Sequence, residues 1–344
     1  MAAVLTKIPY IDLRGAFTTL DLVYVQRRQA HALIRAIKGT FGAASSVPSE
    51  VLLRMSDRIS RRWLERSDNP YLWEITRIAE EIGEAGVFTL NACLEWGCTG
   101  GIWQSKAGPV LRRVLDWPFP KLGEMLVVLH QTGKVGTYYN VTWPGLAGVF
   151  QGVAPDRFAA AINQAPMRKL GAGLAGDWAA GKVAIGRGDG LPPSHLLRQV
   201  FETAPDYATA KDILCRSEIA VPAIFLLAGP EDGEGCVIER TECDFRVREL
   251  AKHGDASVCA ANHFVMPPDG NDSGWRSRPI DSAGRYVQAC NLPGEGGNFS
   301  WFVPPIANPN SRLAFAGRPR QGRLSLVGTE GATPVTEVFR LPLG

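Results

Sequence analysis

Apolar positions in the first eighty or so residues recur at helical spacing. Ile75, Ile78, Ala79 and Ile82 fall on one face, and the pattern as a whole predicts helices over 19–38, 49–65 and 69–84. Ser49 and Asn69 stand where helix caps belong, and Pro70 suits a first helical position because it has no amide hydrogen to leave unpaired. Near residue 86 the pattern changes to short apolar runs bounded by Gly, Pro and Asn. These predict strands over 87–91, 125–130, 146–151, 158–162, 223–228, 236–240 and 258–262. Two helices interrupt them, at 194–203 and 205–216, the first with Leu196, Leu197, Val200 and Phe201 on one face. The tail from 298 to 339 alternates again, with Gly and Pro as punctuation, and predicts closing strands and turns. Strands in two groups with helices between them imply layered sheets covered by helices, an α+β arrangement. The Gly/Pro/Asp-rich stretch 267–279 is the best candidate for a mobile loop over a site.

Composition narrows the function more than the fold. A chain of 344 residues can bury a large core, and 37 basic against 34 acidic residues leave a net charge of only +3. That balance gives no argument for a nucleic-acid or membrane-surface partner, so a small organic substrate fits better. Seven cysteines at irregular positions make no disulfide framework, and the lack of a C-x-x-C pair points to no metal and no cofactor. The amino terminus has no basic region followed by a long apolar core, and no apolar run reaches membrane-span length. A cytoplasmic setting, with thiols kept reduced, is the expectation.

The chemistry concentrates in Asn91-Ala-Cys-Leu-Glu-Trp-Gly-Cys-Thr-Gly100, followed by Leu111-Arg-Arg-Val-Leu-Asp-Trp117. A cysteine that opens a Thr/Gly segment, with an arginine and a carboxylate about one strand downstream, can act as a nucleophile activated by its own α-amine. Each residue has a plainer reading. A free cysteine is more often a buried structural thiol, Arg113 and Asp116 can form a surface ion pair, and Arg112 rivals Arg113.

Five segments in order resemble the acid ceramidase and N-acylethanolamine acid amidase family. They are the Cys-Thr opening at Cys98; Arg113-Val-Leu-Asp-Trp117; the glycine-rich pair from Pro144 to Phe158 running into Ala161-Ile-Asn-Gln164; Tyr207 to Arg240; and Cys259-Ala-Ala-Asn-His-Phe264. The resemblance spans roughly residues 69 to 290. It implies an N-terminal-nucleophile hydrolase with a four-layer αββα fold that cleaves a linear amide bond. It further implies a precursor that breaks between Gly97 and Cys98. A helical segment 1–97 would then stay associated with a catalytic domain 98–344, and a homo-oligomer is left open.

On that resemblance, Cys98 is the nucleophile and Asp116 orients its amine or thiol. Arg113 lowers the thiol pKa, and Asn262 donates to the oxyanion. A second arginine is expected among Arg276, Arg278 and Arg285, with Arg285 preferred. His263 is expected to be structural. Gln164 replaces a family glutamate and Ala261 a threonine, while Gly97 should ease the bent backbone of autocleavage. Trp96, Trp103, Trp117, Tyr138, Tyr139 and Trp143 would line an apolar acyl pocket, with Trp143 and Gln164 touching substrate. The leading substrate is an N-acyl amide with a hydrophobic acyl group. Penicillin or bile-salt amides are the runner-up, and acyl transfer or a non-catalytic relative is the different class.

Overall fold

Strands covered on both sides cannot alternate polar and apolar residues, and this chain's central strands do not. β3 (Gly108–Asp116) is buried at all nine positions, and β7 (Phe158–Gln164) and β9 (Ala223–Ala228) are buried throughout. The structure, a computed structural model, describes residues 5–15, 19–43, 49–92, 97–173, 176–177, 180–181, 188–252, 256–278, 280–294 and 298–341.

One sheet runs in the order β1 (Tyr10–Asp12), β4 (Val127–Gly133), β5 (Gly136–Thr142), β6 (Gln151–Ala154), β7, β9, β10 (Gly235–Arg240) and β11 (Phe245–Glu249). The other runs β12 (Ser257–Ala260), β2 (Gly97–Ser105), β3, β14 (Ser311–Arg318) and β15 (Arg323–Glu330), with β16 (Thr333–Pro334) and β17 (Phe339–Leu341) both on β15. A small ribbon joins β8 (Met167–Arg168) to β13 (Trp275–Arg276). The sheets meet where β2 and β3 pack on β7 and β9. Helices α6 (Pro193–Thr203) and α7 (Tyr207–Arg216) cover the first sheet, and α8 (Ser282–Cys290) covers β2 and β12. The layers are therefore αββα, within an α+β class.

The amino-terminal segment forms α1 (Thr19–Val25), α2 (Arg27–Ala43), α3 (Ser49–Arg66), α4 (Leu72–Ile82) and α5 (Val87–Ala92). Four expectations need correction here. The helix predicted over 19–38 is two helices that part at Gln26. The strand predicted over 87–91 is α5. Its apolar run is buried all round, so periodicity does not separate strand from helix, and the helix is set by Asp57, whose carboxylate accepts from the amides of Gly86 (2.7 Å) and Thr89 (2.8 Å). The strand predicted over 146–151 is a loop up to Gln151, with the Ala147 amide bonded to Asn91 Oδ1 and the Val149 amide to Ser194 O. The segment is also not purely helical, because β1 pairs in parallel with β4 and completes the first sheet.

Helix starts shift for local reasons. α4 begins at Leu72 because Asn69 Oδ1 holds the Tyr71 amide in a preceding turn (3.0 Å). α7 begins after Asp206, whose side chain caps it through the Thr209 amide.

Polar links tie the segment to the rest. Glu74 on α4 meets Arg198 on α6 at 2.9 Å, and Arg198 also bonds Glu202 and Ala147 O and stacks 4.0 Å over Tyr71. Asn69 Nδ2 meets His195 Nδ1 at 2.8 Å, and Tyr71 donates to Glu202 at 2.8 Å. Removing Glu74 takes away one of the two carboxylates that answer the buried Arg198 charge and leaves only Glu202. Glu74→Ala is therefore expected to cost about 3 kcal/mol of unfolding free energy, measured by urea titration; a change within error contradicts the role given to the pair.

His195 supplies a pH test. Burial, and then Arg198, hold its imidazole down at about 3 against an ordinary 6.5. The unfolded chain takes up this proton below about 6.5 and the folded chain does not, so stability is lost as pH falls from 6.5 toward 3. Between pH 7 and 5 the wild type should lose about 2 kcal/mol more than His195→Gln. Parallel losses in the two proteins contradict the account.

Candidate active site

The site follows from strand alternation. β2 and β3 pair antiparallel with Gly97 opposite Asp116, Cys98 opposite Leu115 and Gly100 opposite Arg113. Residues two apart share a face, so Cys98 and Arg113 are diagonal neighbours on the face toward β7. Asp116, Gly97 and Thr99 share the opposite face, toward α8. The same alternation separates the two adjacent arginines. Arg112 points the other way, donating to Pro293 O and Gly294 O and stacking 5.1 Å over Trp103.

On the inner face the Cys98 thiol is fully buried, and Arg113 Nη2 stands 2.9 Å from its Sγ. Arg113 also donates to Ile162 O (2.6 Å), Asn163 Oδ1 (3.4 Å) and Gln151 Oε1. Burial pushes the thiol pKa up, Arg113 opposes it, and Asp116 adds to the rise.

On the outer face Arg285, fully buried on α8, donates to the carbonyl of Cys98, to Thr99 Oγ1 (2.6 Å) and to Asn262 Oδ1 (2.9 Å), and pairs with Asp116 at 3.4 Å. Ser311 Oγ donates to the second oxygen of Asp116 at 2.7 Å. Burial raises the Asp116 pKa, and Arg285, Asn308 and Ser311 pull against it.

Asn262 joins the two faces at the end of β12. Its Oδ1 accepts from the backbone nitrogen of Cys98 (2.8 Å), its Nδ2 donates to Gln164 O (2.8 Å), and its own amide bonds Ser282 Oγ at the start of α8 (2.8 Å). The donor expected to meet an oxyanion is thus occupied by a carbonyl, and the side chain's oxygen faces the amine position. His263 Nδ1 also meets Ser282 Oγ, at 2.8 Å.

The structure brings together Cys98, Arg113, Asp116, Asn262 and Arg285. Arg276 instead pairs with Asp177 (3.2 Å), and Arg278 donates to Ala165 O. Gly97 lies in β2, paired with Asp116, and does not have a left-handed φ. What favours glycine there is crowding, because a Cβ would lie 3.2 Å from Asp116 Cβ.

A cavity of about 130 Å³ opens beside Ile162, Asn163 and Gln164, walled chiefly by Met167, Leu170, Val221 and Trp275. Gln164 lines it and Trp143 does not. Trp143 is core, bonded to Leu122 O and edge-to-face with Trp117 at 5.6 Å. Trp103, Trp117 and Tyr138 are also packed in cores, Tyr139 lies against His130, and Trp96 lies outside the described residues. The stretch 267–279 supplies Trp275 and Arg278 to the cavity wall through the β8–β13 ribbon, and its last residue lies outside the described ones. Sequence reading missed Thr99, Gln151, Asn163, Ser282 and Ser311. Thr99, Gln151 and Asn163 stood inside quoted motifs, whereas Ser311 carried no signal. Among the described residues, no group of three or more His, Cys, Asp or Glu side chains is placed to hold a metal ion.

Glycines in β2 let the sheets and strands approach. A Cβ at Gly100 would lie 2.7 Å from both Arg112 O and Leu226 Cδ1, and overpacking against backbone has no cheap relief. Gly100→Ala should cost about 2 kcal/mol or more and Gly97→Ala less, read by thermal unfolding; the reverse order contradicts the packing argument.

No family model matches the chain. Curated acid ceramidases do. That of Heterocephalus glaber is 28% identical over 220 residues, covering 58% of this chain and 54% of the relative. The Bos taurus protein is 26% identical over 267 residues, covering 71% and 65%, and the Rattus norvegicus protein 32% identical over 241 residues, covering 63% and 59%. The chain thus spans between about half and two thirds of the length of these relatives. Among solved structures, the Caenorhabditis elegans N-acylethanolamine-hydrolyzing acid amidase ortholog is 18% identical, with a TM-score of 0.47, and covers 71% of this chain and 100% of its own. The mutant conjugated bile acid hydrolase of Clostridium perfringens is 11% identical, with a TM-score of 0.41, and covers 72% and 92%. By its sequence, the chain is similar to acid ceramidases over more than half of its length.

Proposed function

We propose that this protein is a cysteine amidohydrolase that first cleaves its own chain before Cys98 and then hydrolyses a linear N-acyl amide with a hydrophobic acyl group. The observation that carries this reading is the double hold on one residue. Cys98 Sγ lies 2.9 Å from Arg113, while its backbone nitrogen lies 2.8 Å from Asn262 Oδ1.

In maturation the Cys98 thiol adds to the Gly97 carbonyl carbon, the Gly97–Cys98 bond breaks, and the nitrogen takes up a proton. The resulting thioester is hydrolysed by water to a Gly97 carboxylate and a free thiol. The freed amine stays on Asn262 Oδ1 beside Asp116. With a reference pKa of about 7.7 to 8, it can take the thiol proton without a histidine. In turnover the thiolate adds to the substrate carbonyl, and Arg113 stabilises the charge on that face. The α-ammonium then gives its proton to the leaving nitrogen, and water releases the acid from the acyl-thioester. Asn262 Nδ2 serves the oxyanion by exchanging the Gln164 carbonyl for it.

The cavity beside Gln164 supports the acyl preference, being mostly apolar and next to the thiol's own neighbours. Association of the two fragments is supported by β1 in the first sheet and by the Glu74–Arg198 pair.

Intact mass should show a break before Cys98 after incubation between mildly acidic and neutral pH, and none in Cys98→Ala; an unbroken wild-type chain under all these conditions sinks the maturation step. A fatty-acyl amide series run against penicillin V and conjugated bile acids should show dependence on acyl length. Flat rates across the series would count against the lipid-like substrate. Added amines test transfer, because a hydrolase forms the acid with little new amide.

A further inference from the structure

Arg113 is a buried cation held by neutral groups. Two of its partners are side-chain carbonyls, Gln151 Oε1 and Asn163 Oδ1, and a third is the Ile162 backbone carbonyl. Among the described residues no carboxylate forms an ion pair with it, and Asp116 is paired with Arg285 instead. Gln151, the first residue of β6, is fully buried and uses both ends of its amide. Nε2 donates to Val141 O on β5, which leaves Oε1 aimed at Arg113. An amide gives a guanidinium an acceptor without giving it a counter-charge. A glutamate of the same shape would give both.

We propose that Gln151 is a positioning residue that fixes Arg113 as a cation without a carboxylate ion pair, so that the ionised thiol of Cys98, 2.9 Å away, is the anion that completes the pair. Asn163 acts in the same way on the Nε side. This rests on Cys98 being the nucleophile, and it explains how a thiol sealed from water reaches its reactive form. Burying a charge without a partner is costly, and here the cost is relieved only when the neighbour ionises.

The charges that face Cys98 are few. Arg113 and Asp116 come from β3 and Arg285 from α8. The strands packed on the thiol from the first sheet present Gln151, Asn163 and Gln164. Glu239 on β10 is paired with Arg248 at 3.0 Å. A carboxylate at position 151 would neutralise Arg113 and repel the thiolate, so the thiol pKa must rise.

The test is the pH dependence of iodoacetamide alkylation of Cys98 in the full-length chain, followed by mass spectrometry of its peptide from pH 5 to 10.5. Gln151→Glu should move the midpoint up by about one unit or more. Gln151→Met, which removes the acceptor without adding charge, should move it less than half as far. Asn163→Asp should move it in the same direction as Gln151→Glu, and it decides the matter if the glutamate variant does not fold. Midpoints unchanged from wild type, or equal shifts in the Glu and Met variants, would overturn the proposal. The outcome is separable from the amidase reading. A wild-type chain that never breaks but shows these shifts defeats that reading alone, while a chain that matures normally with unmoved midpoints defeats this one alone.

Discussion

The structure depends on burying two arginines on opposite faces of one strand pair. Arg113 lies between the sheets and Arg285 comes from α8 on the opposite face, and both are fully withdrawn from water. A buried guanidinium needs every donor satisfied and its charge answered. Arg285 meets this with Asp116 and the neutral oxygens of Cys98, Thr99, Asn262 and Ile280. Among the described residues, the hydrogen bonds of Arg113 go to neutral oxygens and one sulfur. Residue 98 is in contact with both cations, its thiol on one face and its backbone carbonyl on the other. The polarity around Cys98 is thus built into the pleat of β2.

Such a site constrains everything around it. β2 carries Gly97, Gly100 and Gly101 because side chains there would strike Asp116, Leu226 and Val258. α8 must stay docked, since it brings Arg285 to the carbonyl of Cys98 and Ser282 to the amide of Asn262. Because β1, α4 and α5 are packed into the same body as the sheets, a break before Cys98 would leave the amino-terminal segment held by a strand pairing, a buried ion pair and the Asn91 bonds to Gly145 and Ala147.

Much of this was legible in the sequence, and the failures have physical causes. β9, β10 and α6 were readable because each is a self-contained apolar run with clear edges. α5 was misread because a five-residue run buried on all sides has no period, and its cap, Asp57, lies about thirty residues earlier. β1 was missed because three residues are too few to show a pattern. In the site, Cys98, Arg113 and Asp116 were found because the segments that resemble the acid ceramidase family carry them, whereas Ser311 arrives from a distant strand and only the sheet register brings it in. The aromatic pocket failed for a related reason. Trp117 and Trp143 are near Cys98 in sequence, yet the cavity is walled by segments that the β7–β9 and β8–β13 pairings bring together.

The central claim is that Cys98 Sγ is the atom that attacks an amide. It is tested most directly by acid-quenching the matured protein within one turnover of a slow N-acyl amide and mapping the added mass by peptide. The account predicts an acyl group on Cys98 alone, labile to hydroxylamine as a thioester must be. Turnover with no acyl group on Cys98, or with the group on another residue, would contradict it.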